Sequence, residues 1–88
     1  MAREVLKIDS TAGIDALVAQ KVVNIASNYE ADMILRYQNK EVDLKSILGI
    51  MSLAVIKDSG VEIIADGSDA KEALKAIGAF LGKKAHNA

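Results

Sequence analysis

The sequence contains no cysteine and no proline, and aromatic residues make up only 3% of its 88 residues. Without cysteine, the chain has neither a disulfide framework nor a thiolate metal site. With so few aromatic side chains, a core must be built from valine, isoleucine, leucine and alanine, which the 51% hydrophobic content supplies. This length, without a linker or an internal repeat, predicts one domain over residues 1–84 and a short flexible tail over residues 85–88.

The sequence also lacks long apolar runs and a strong excess of charge. No segment approaches the roughly 18 apolar residues of a membrane-spanning helix, and the N-terminus has no signal-peptide core. The formal net charge of −1 provides no overall attraction to nucleic acid or acidic lipid. We therefore expect a soluble cytoplasmic domain that binds neither nucleic acid nor a membrane directly.

The hydrophobic pattern predicts alternating strands and helices. Runs rich in β-branched and aliphatic residues are typical of strands at 3–8, 31–37, 40–44 and 60–67. The sequence QNK at 38–40 suits a tight hairpin turn. Residues 16–27 carry apolar side chains at the spacing of one helical face, and residues 46–55 predict one or two helical turns with Ser46 as the N-cap.

The final helix is the clearest element of the pattern. Asp69 and Glu72 have the spacing of a capping box, with aspartate in place of serine or threonine. The apolar stripe behind them consists of Ala70, Ala73, Leu74, Ile77 and Leu81. Gly82, followed by two lysines, predicts the end of this helix. The order β-α-β-β-α-β-α predicts an α+β fold, in which three helices cover one face of an open, largely antiparallel four-stranded sheet.

Three segments carry a family resemblance: AGIDALVAQ, VDLKSILGIMSLAV and VEIIADGSDAKEALKAI. Together they resemble HPr, the small histidine-phosphorylatable carrier of the bacterial sugar phosphotransferase system, over nearly the whole chain and in the same element order. The segment LKSILGIMSL is the most specific part. It resembles the region around the regulatory serine of HPr proteins from Gram-positive bacteria, and the resemblance implies that this serine is Ser46.

The sequence departs from the family at its carrier motif. That motif reads Gly-(Ile/Leu)-His-Ala-Arg-Pro-Ala in HPr proteins, whereas residues 13–19 read GIDALVA. Asp15 therefore stands in place of the phosphoryl-accepting histidine, Leu17 in place of arginine and Val18 in place of proline. The chain's one histidine, His86, lies in the predicted tail. We accordingly expect no histidine phosphotransfer and no enzymatic activity.

Asp15 has two interpretations. Aspartate is a good N-cap, worth ~1 kcal/mol, so Asp15 is expected to cap the first helix. A carboxylate at a helix N-terminus can alternatively accept a phosphoryl group as an acyl phosphate. That chemistry usually relies on a metal ion and a nearby cation, and Leu17 removes the cation that the family provides. The capping interpretation is therefore preferred.

Ser46 also has a structural and a functional interpretation, and the two are compatible. A phosphate added at a helix N-terminus meets free N–H donors, and Lys45 is adjacent in sequence. The resemblance implies that outward residues of this segment and of the start of the first helix form a surface for partner proteins. In this sequence, the expected members of that surface are Leu17, Gln20, Ile47, Leu48 and Met51.

The resulting hypothesis is an HPr-like regulator of carbon catabolite control that lacks the carrier histidine and is phosphorylated at Ser46. The resemblance implies three partners: a serine kinase of HPr, a catabolite-control transcriptional regulator, and proteins of the phosphotransferase system. No cofactor or metal is expected, since Glu30, Asp32, Glu41 and Asp43 are scattered acids typical of solvated positions. The chain is expected to be a monomer or a weak dimer. The alternatives are a phosphocarrier that uses Asp15 and a constitutive partner-binding module.

Overall fold

The computed structural model describes residues 1–9 and 13–84. The predicted tail, including His86, lies outside the described residues. The elements, in chain order, are β1 (Ala2–Ile8), α1 (Ala16–Ala26), β2 (Asp32–Tyr37), β3 (Lys40–Asp43), α2 (Ile47–Ser52), β4 (Gly60–Asp66), α3 (Ala70–Leu81) and β5 (Gly82–Lys84).

The sheet has the strand order β3-β2-β4-β1-β5, and each neighbouring pair is antiparallel. Strands β2 and β3 form the predicted hairpin, in which Tyr37 pairs with Lys40. Gln38 and Asn39 both have positive φ, 49° and 67°, which is the backbone pattern of a type I′ hairpin turn. The predicted fold class and element order are confirmed.

The structure adds a fifth strand that the sequence pattern did not predict. Gly82 ends α3 as expected, but the chain then pairs with β1 as β5, with Lys84 opposite Leu6. A Cβ atom at Gly82 would collide with the Lys7 carbonyl oxygen. Only glycine allows the backbone to turn from the helix directly onto the edge of β1.

One face of the sheet carries the core and the other faces solvent. Leu6 and Ile8 of β1, with Val61 and Ile63 of β4, are almost fully buried beneath the helices. Both long helices contribute the predicted apolar stripe, which is buried at Ala19, Val22, Ala26, Ala70, Ala73, Leu74, Ile77 and Leu81. This arrangement places α1 against α2 and α3 on the covered face.

Ion pairs lie on the solvent face of the sheet. The guanidinium group of Arg36 on β2 contacts Glu41 on β3 and Glu62 on β4, and Arg3 on β1 also reaches Glu62. Glu41 is therefore paired across the sheet rather than simply solvated. Within the described residues, no group of three or more acidic or histidine side chains is arranged to hold a metal ion.

The predicted capping box at α3 is wrong in its hydrogen bonding. Asp69 occupies the N-cap position, but its side chain makes no bond to the helix that follows. Its carboxylate instead accepts hydrogen bonds from the backbone N–H groups of Glu30 and Ala31, both at 2.9 Å. The two loops come this close because Gly67 has no side chain: a Cβ there would lie 2.8 Å from the Ala31 Cα. The aspartate is thus used for a contact between loops.

No helix in the described ranges has the length and apolar character needed to cross a bilayer.

Candidate functional site

Asp15 caps α1, as the sequence predicts. Its backbone is extended, with φ −87° and ψ −173°, and its Oδ1 accepts a hydrogen bond from the Val18 N–H at 2.9 Å. The Asp15 carbonyl oxygen accepts from the Ala19 N–H at 2.8 Å, which closes the first helical turn. The carboxylate itself is exposed. Its observed bond is a capping bond.

The residues before Asp15 fix the position of this cap. Ile14 is buried, and its N–H donates to the Val55 carbonyl oxygen at 2.9 Å. Gly13 has φ +69° and lies so close to Val55 and Ile56 that any side chain would collide with their backbone. The start of α1 is therefore tied to the segment that follows α2.

The side chains beside Asp15 are apolar. Leu17 is 60% exposed and Val18 is half-buried, and the two line a shallow groove with Lys21, Phe80, Leu81 and Asp9. Position 17 thus provides apolar surface where an arginine would provide a positive charge. The cation of the groove, Lys21, is one helical turn beyond Leu17.

Ser46 caps α2 in the same way that Asp15 caps α1. Its Oγ accepts a hydrogen bond from the Gly49 N–H at 3.1 Å, and its carbonyl oxygen accepts from the Ile50 N–H at 3.0 Å. Ser46 is half-buried. A Cβ at Gly49 would lie 3.2 Å from the Ser46 Oγ, which is tighter than an ordinary contact. The missing side chain at Gly49 leaves room beside the hydroxyl.

Lys45 does not contact the Ser46 hydroxyl in this structure. Its Nζ donates to the Tyr29 carbonyl oxygen at 2.9 Å in a partly buried position. Its backbone N–H donates to Asp43 Oδ1 at 2.9 Å. The ammonium group therefore faces the loop between α1 and β2.

Three apolar side chains of α2 face outward. Ile47 is 37% exposed, Leu48 is 82% exposed and Met51 is 41% exposed, while Ile50 is fully buried. We call Ile47, Leu48 and Met51 the α2 patch. The three residues of this helix that the resemblance implies are on the surface are therefore exposed, and Ile50 contributes to the core.

Exposed side chains outside α2 include the remaining predicted surface residues and two apolar residues that were not predicted. Leu17 and Gln20 are exposed on α1, as expected. Sequence reasoning missed Ile56, which is 66% exposed, and Phe80, which is 38% exposed at the end of α3. For Ile56 a signal existed, because Val55 and Ile56 are adjacent and only one of two neighbours in an extended segment can face the core. Contiguous exposed apolar patches generally mark an interface, whereas single exposed apolar residues do not.

Comparison with known proteins identifies the family of this fold. A family profile described as the PTS HPr component phosphorylation site matches residues 2–83. The HPr phosphocarrier protein of Bacillus anthracis is 36% identical, with a TM-score of 0.88 over 91% of this chain and 95% of that chain. HPr-C-His from Thermoanaerobacter tengcongensis is also 36% identical, with a TM-score of 0.85 over 88% of this chain and 86% of that chain.

A third solved structure is named for catabolite repression. Crh of Bacillus subtilis is 35% identical, with a TM-score of 0.74 over 91% of this chain and 92% of that chain, and its crystal structure is described as a swapped, intertwined dimer. The three structures share the fold of this chain, and the profile match covers residues 2–83. This chain therefore belongs to the HPr family, whose members are phosphocarriers and not enzymes.

Proposed function

We propose that this HPr-family chain is a regulator of carbon catabolite control that is switched at Ser46 and does not carry phosphate on a histidine. The observation that carries this proposal is the capping bond of Asp15, whose Oδ1 accepts the Val18 N–H. By resemblance, Asp15 stands where HPr proteins carry the phosphoryl-accepting histidine. The similarity to Crh, which is named for catabolite repression, supports a regulatory role.

Transfer through an aspartyl phosphate at Asp15 is disfavoured by its surroundings. A phosphoryl group moving onto a carboxylate brings two negative groups together, so the transition state needs a compensating cation. Position 17 supplies an exposed leucine instead. No cluster of metal-binding side chains occurs in the described part of the chain. The surroundings of Asp15 favour a structural cap.

Ser46 offers a more favourable place for a phosphate. In the proposed step, the Ser46 Oγ attacks the γ-phosphorus of ATP, the bond from that phosphorus to the ADP oxygen breaks, and a base of the kinase takes the hydroxyl proton. The phosphate oxygens then lie near the N–H groups of the first turn of α2, where the Gly49 N–H already bonds the Oγ. Backbone N–H groups at a helix start stabilise negative charge. Gly49 leaves space for the added group.

The α2 patch would then provide the partner surface beside the phosphate. A small apolar contact alone gives weak, transient binding. Each charge-assisted bond from a partner arginine or lysine to the phosphate adds roughly 1.5–3 kcal/mol. Two such bonds tighten binding by roughly two to four orders of magnitude, since ~1.4 kcal/mol corresponds to tenfold. The proposed partner is a transcriptional regulator of catabolite control with a basic site next to an apolar cleft.

Intact-mass spectrometry tests the site of modification. The protein is incubated with ATP and the serine kinase of HPr, and separately with phosphoenolpyruvate and the first enzyme of the phosphotransferase system. We expect one phosphate in the first reaction and none in the second. Ser46→Ala should abolish the uptake, whereas Ser52→Ala, at the other end of the same helix, should not. A stoichiometric, hydroxylamine-labile phosphate in the second reaction would instead establish the Asp15 carrier.

Calorimetry tests the switch itself. The modified protein should bind the regulator at least a hundredfold more tightly than the unmodified protein. Ser46→Asp should reproduce this effect only in part, because a carboxylate has fewer acceptor oxygens and less charge than a phosphate. Equally tight binding before and after modification would reject the switch and establish a constitutive binding module, which the exposed Leu17 and α2 patch also allow.

A further inference from the structure

Residues 29–31, which connect α1 to β2, are held by two charged side chains from other loops. Lys45, in the turn before α2, donates its Nζ to the Tyr29 carbonyl oxygen at 2.9 Å. Asp69, before α3, accepts the Glu30 N–H at Oδ2 and the Ala31 N–H at Oδ1, both at 2.9 Å. We call this set of three bonds the 29–31 clamp. Three consecutive backbone groups are thus bonded from two sides.

The two charged groups of the clamp also support each other. The hydrogen bond from the Glu30 N–H is the largest cause that lowers the pKa of the Asp69 carboxyl, and the bond from Ala31 and the positive charge of Lys45 lower it further. Asp69 remains ionised at neutral pH without Lys45, so moving the ammonium removes one bond of the three, the bond to the Tyr29 carbonyl. The two bonds to Asp69 must then hold residues 30 and 31 alone.

Lys45 is also the residue next to Ser46. We infer that a phosphate on Ser46 draws the Lys45 ammonium away from the Tyr29 carbonyl and so loosens the 29–31 clamp. The inference rests on the proposed function only in taking Ser46 as the modified residue. Its consequence is a coupling between the start of α2 and the loop between α1 and β2.

Charge and reach both favour this exchange. A phosphoserine carries a charge of about −1.5 to −2 at neutral pH, whereas the Tyr29 carbonyl is a neutral acceptor. Consecutive Cα atoms are about 3.8 Å apart, and the flexible four-carbon stem of lysine spans that distance easily. A charge-assisted bond to the phosphate is stronger than a bond to a neutral carbonyl, so the phosphate attracts the ammonium toward the start of α2.

The coupling must act in both directions. If the phosphate weakens the clamp, loss of the clamp must strengthen the hold of Lys45 on the phosphate by the same factor, because coupling free energies between two sites are reciprocal. A double-mutant cycle on Ser46 and Lys45 therefore isolates the effect from any general cost of adding charge.

Amide hydrogen exchange measured by NMR provides the test. Phosphoserine is incorporated at residue 46 during synthesis of the chain, so the experiment does not depend on any kinase. We expect the protection of the Glu30 and Ala31 amides to fall roughly fivefold, the change that ~1 kcal/mol of lost bonding produces. In Lys45→Met, installing the same phosphoserine should change these two amides by less than a factor of two.

Two controls keep the result specific. Phosphoserine at Ser52 adds the same charge at the far end of α2 and should leave both amides unchanged. Lys45→Gln keeps a hydrogen-bond donor without the charge and replaces Lys45→Met if that variant unfolds. Unchanged protection with phosphoserine at residue 46, or an equal fall in the lysine variants, would overturn the coupling. Failure of the kinase to modify Ser46 would reject the proposed function and leave this result standing.

Discussion

Replacing Asp15 separates a structural aspartate from a chemical one. In Asp15→Ala, the Val18 N–H loses its 2.9 Å bond to Oδ1 and must turn to water. The site is exposed, so water replaces part of the lost bond, and the expected cost is about 1 kcal/mol, typical of an N-cap serine, threonine or aspartate changed to alanine. For a domain of this size, that cost lowers the melting temperature by roughly 4–8 °C.

Asp15→Asn and Asp15→Ser are the matched variants because each keeps a side-chain oxygen for the Val18 N–H. The free energy of unfolding of both variants should remain within a few tenths of a kcal/mol of that of the parent protein. Asparagine loses the interaction of the carboxylate charge with the helix dipole, and because salt screens that interaction, the difference from the parent should shrink as salt is added. Urea denaturation followed by circular dichroism measures all three, with unchanged m-values as the check that only stability has moved.

An unfolding midpoint that is unchanged in the alanine, asparagine and serine variants alike would refute the capping role of Asp15. A gain in stability for alanine would be more informative still. It would mean that the acid costs folding energy at this position, and that the carboxylate is present for something other than the cap.

Three further substitutions test other parts of the fold. Ala54, just past the end of α2, has φ +51°, where a side chain costs about 1–2 kcal/mol. Ala54→Gly relieves that strain but raises the conformational entropy of the unfolded chain, which opposes part of the gain. Denaturation should therefore show a net stabilisation of about 0.5–1 kcal/mol. The control, Ala79→Gly within α3, should instead lower stability by about 1 kcal/mol. The pKa of Asp69 in the folded protein lies below its ordinary value of 3.8. The stability that the ionised carboxylate gives to the folded protein is therefore complete above pH 3.8 and is lost as the pH falls through the lower folded-state pKa. Asp69→Asn should therefore flatten the loss of stability measured below pH 3.8, and an unchanged acid slope would contradict the role given to this carboxylate.

The sequence predicts features that depend on neighbours a few residues away. The caps at Asp15 and Ser46 were predictable because an N-cap bonds an N–H three residues on, within one short segment. The hairpin at Gln38 and Asn39 was predictable for the same reason. The shortness of α2 meant that not all of its apolar residues could face the core, and the family resemblance implied which of them form the exposed patch.

Asp69 shows where such reasoning stops. Its local pattern matches a capping box, yet its partners are 38 and 39 residues away, at Ala31 and Glu30. An aspartate carboxylate has the same bonding capacity toward any nearby N–H, and the choice between its own helix and another loop depends on how closely that loop approaches. Gly67 sets that approach, and a glycine before a helix is too common in loops to indicate it.

Lys45 and Gly82 follow the same logic and bear directly on function. The sequence placed Lys45 beside Ser46, but packing directs its ammonium to Tyr29, so the residue is adjacent to the proposed switch in the chain and bonded elsewhere in space. Gly82 was predicted only to end a helix, but it also lets three residues pair with β1. In both cases the backbone position was predictable and the partner was not. A regulatory effect that depends on exchanging partners, such as the one inferred for Lys45, therefore has to be inferred from the folded structure.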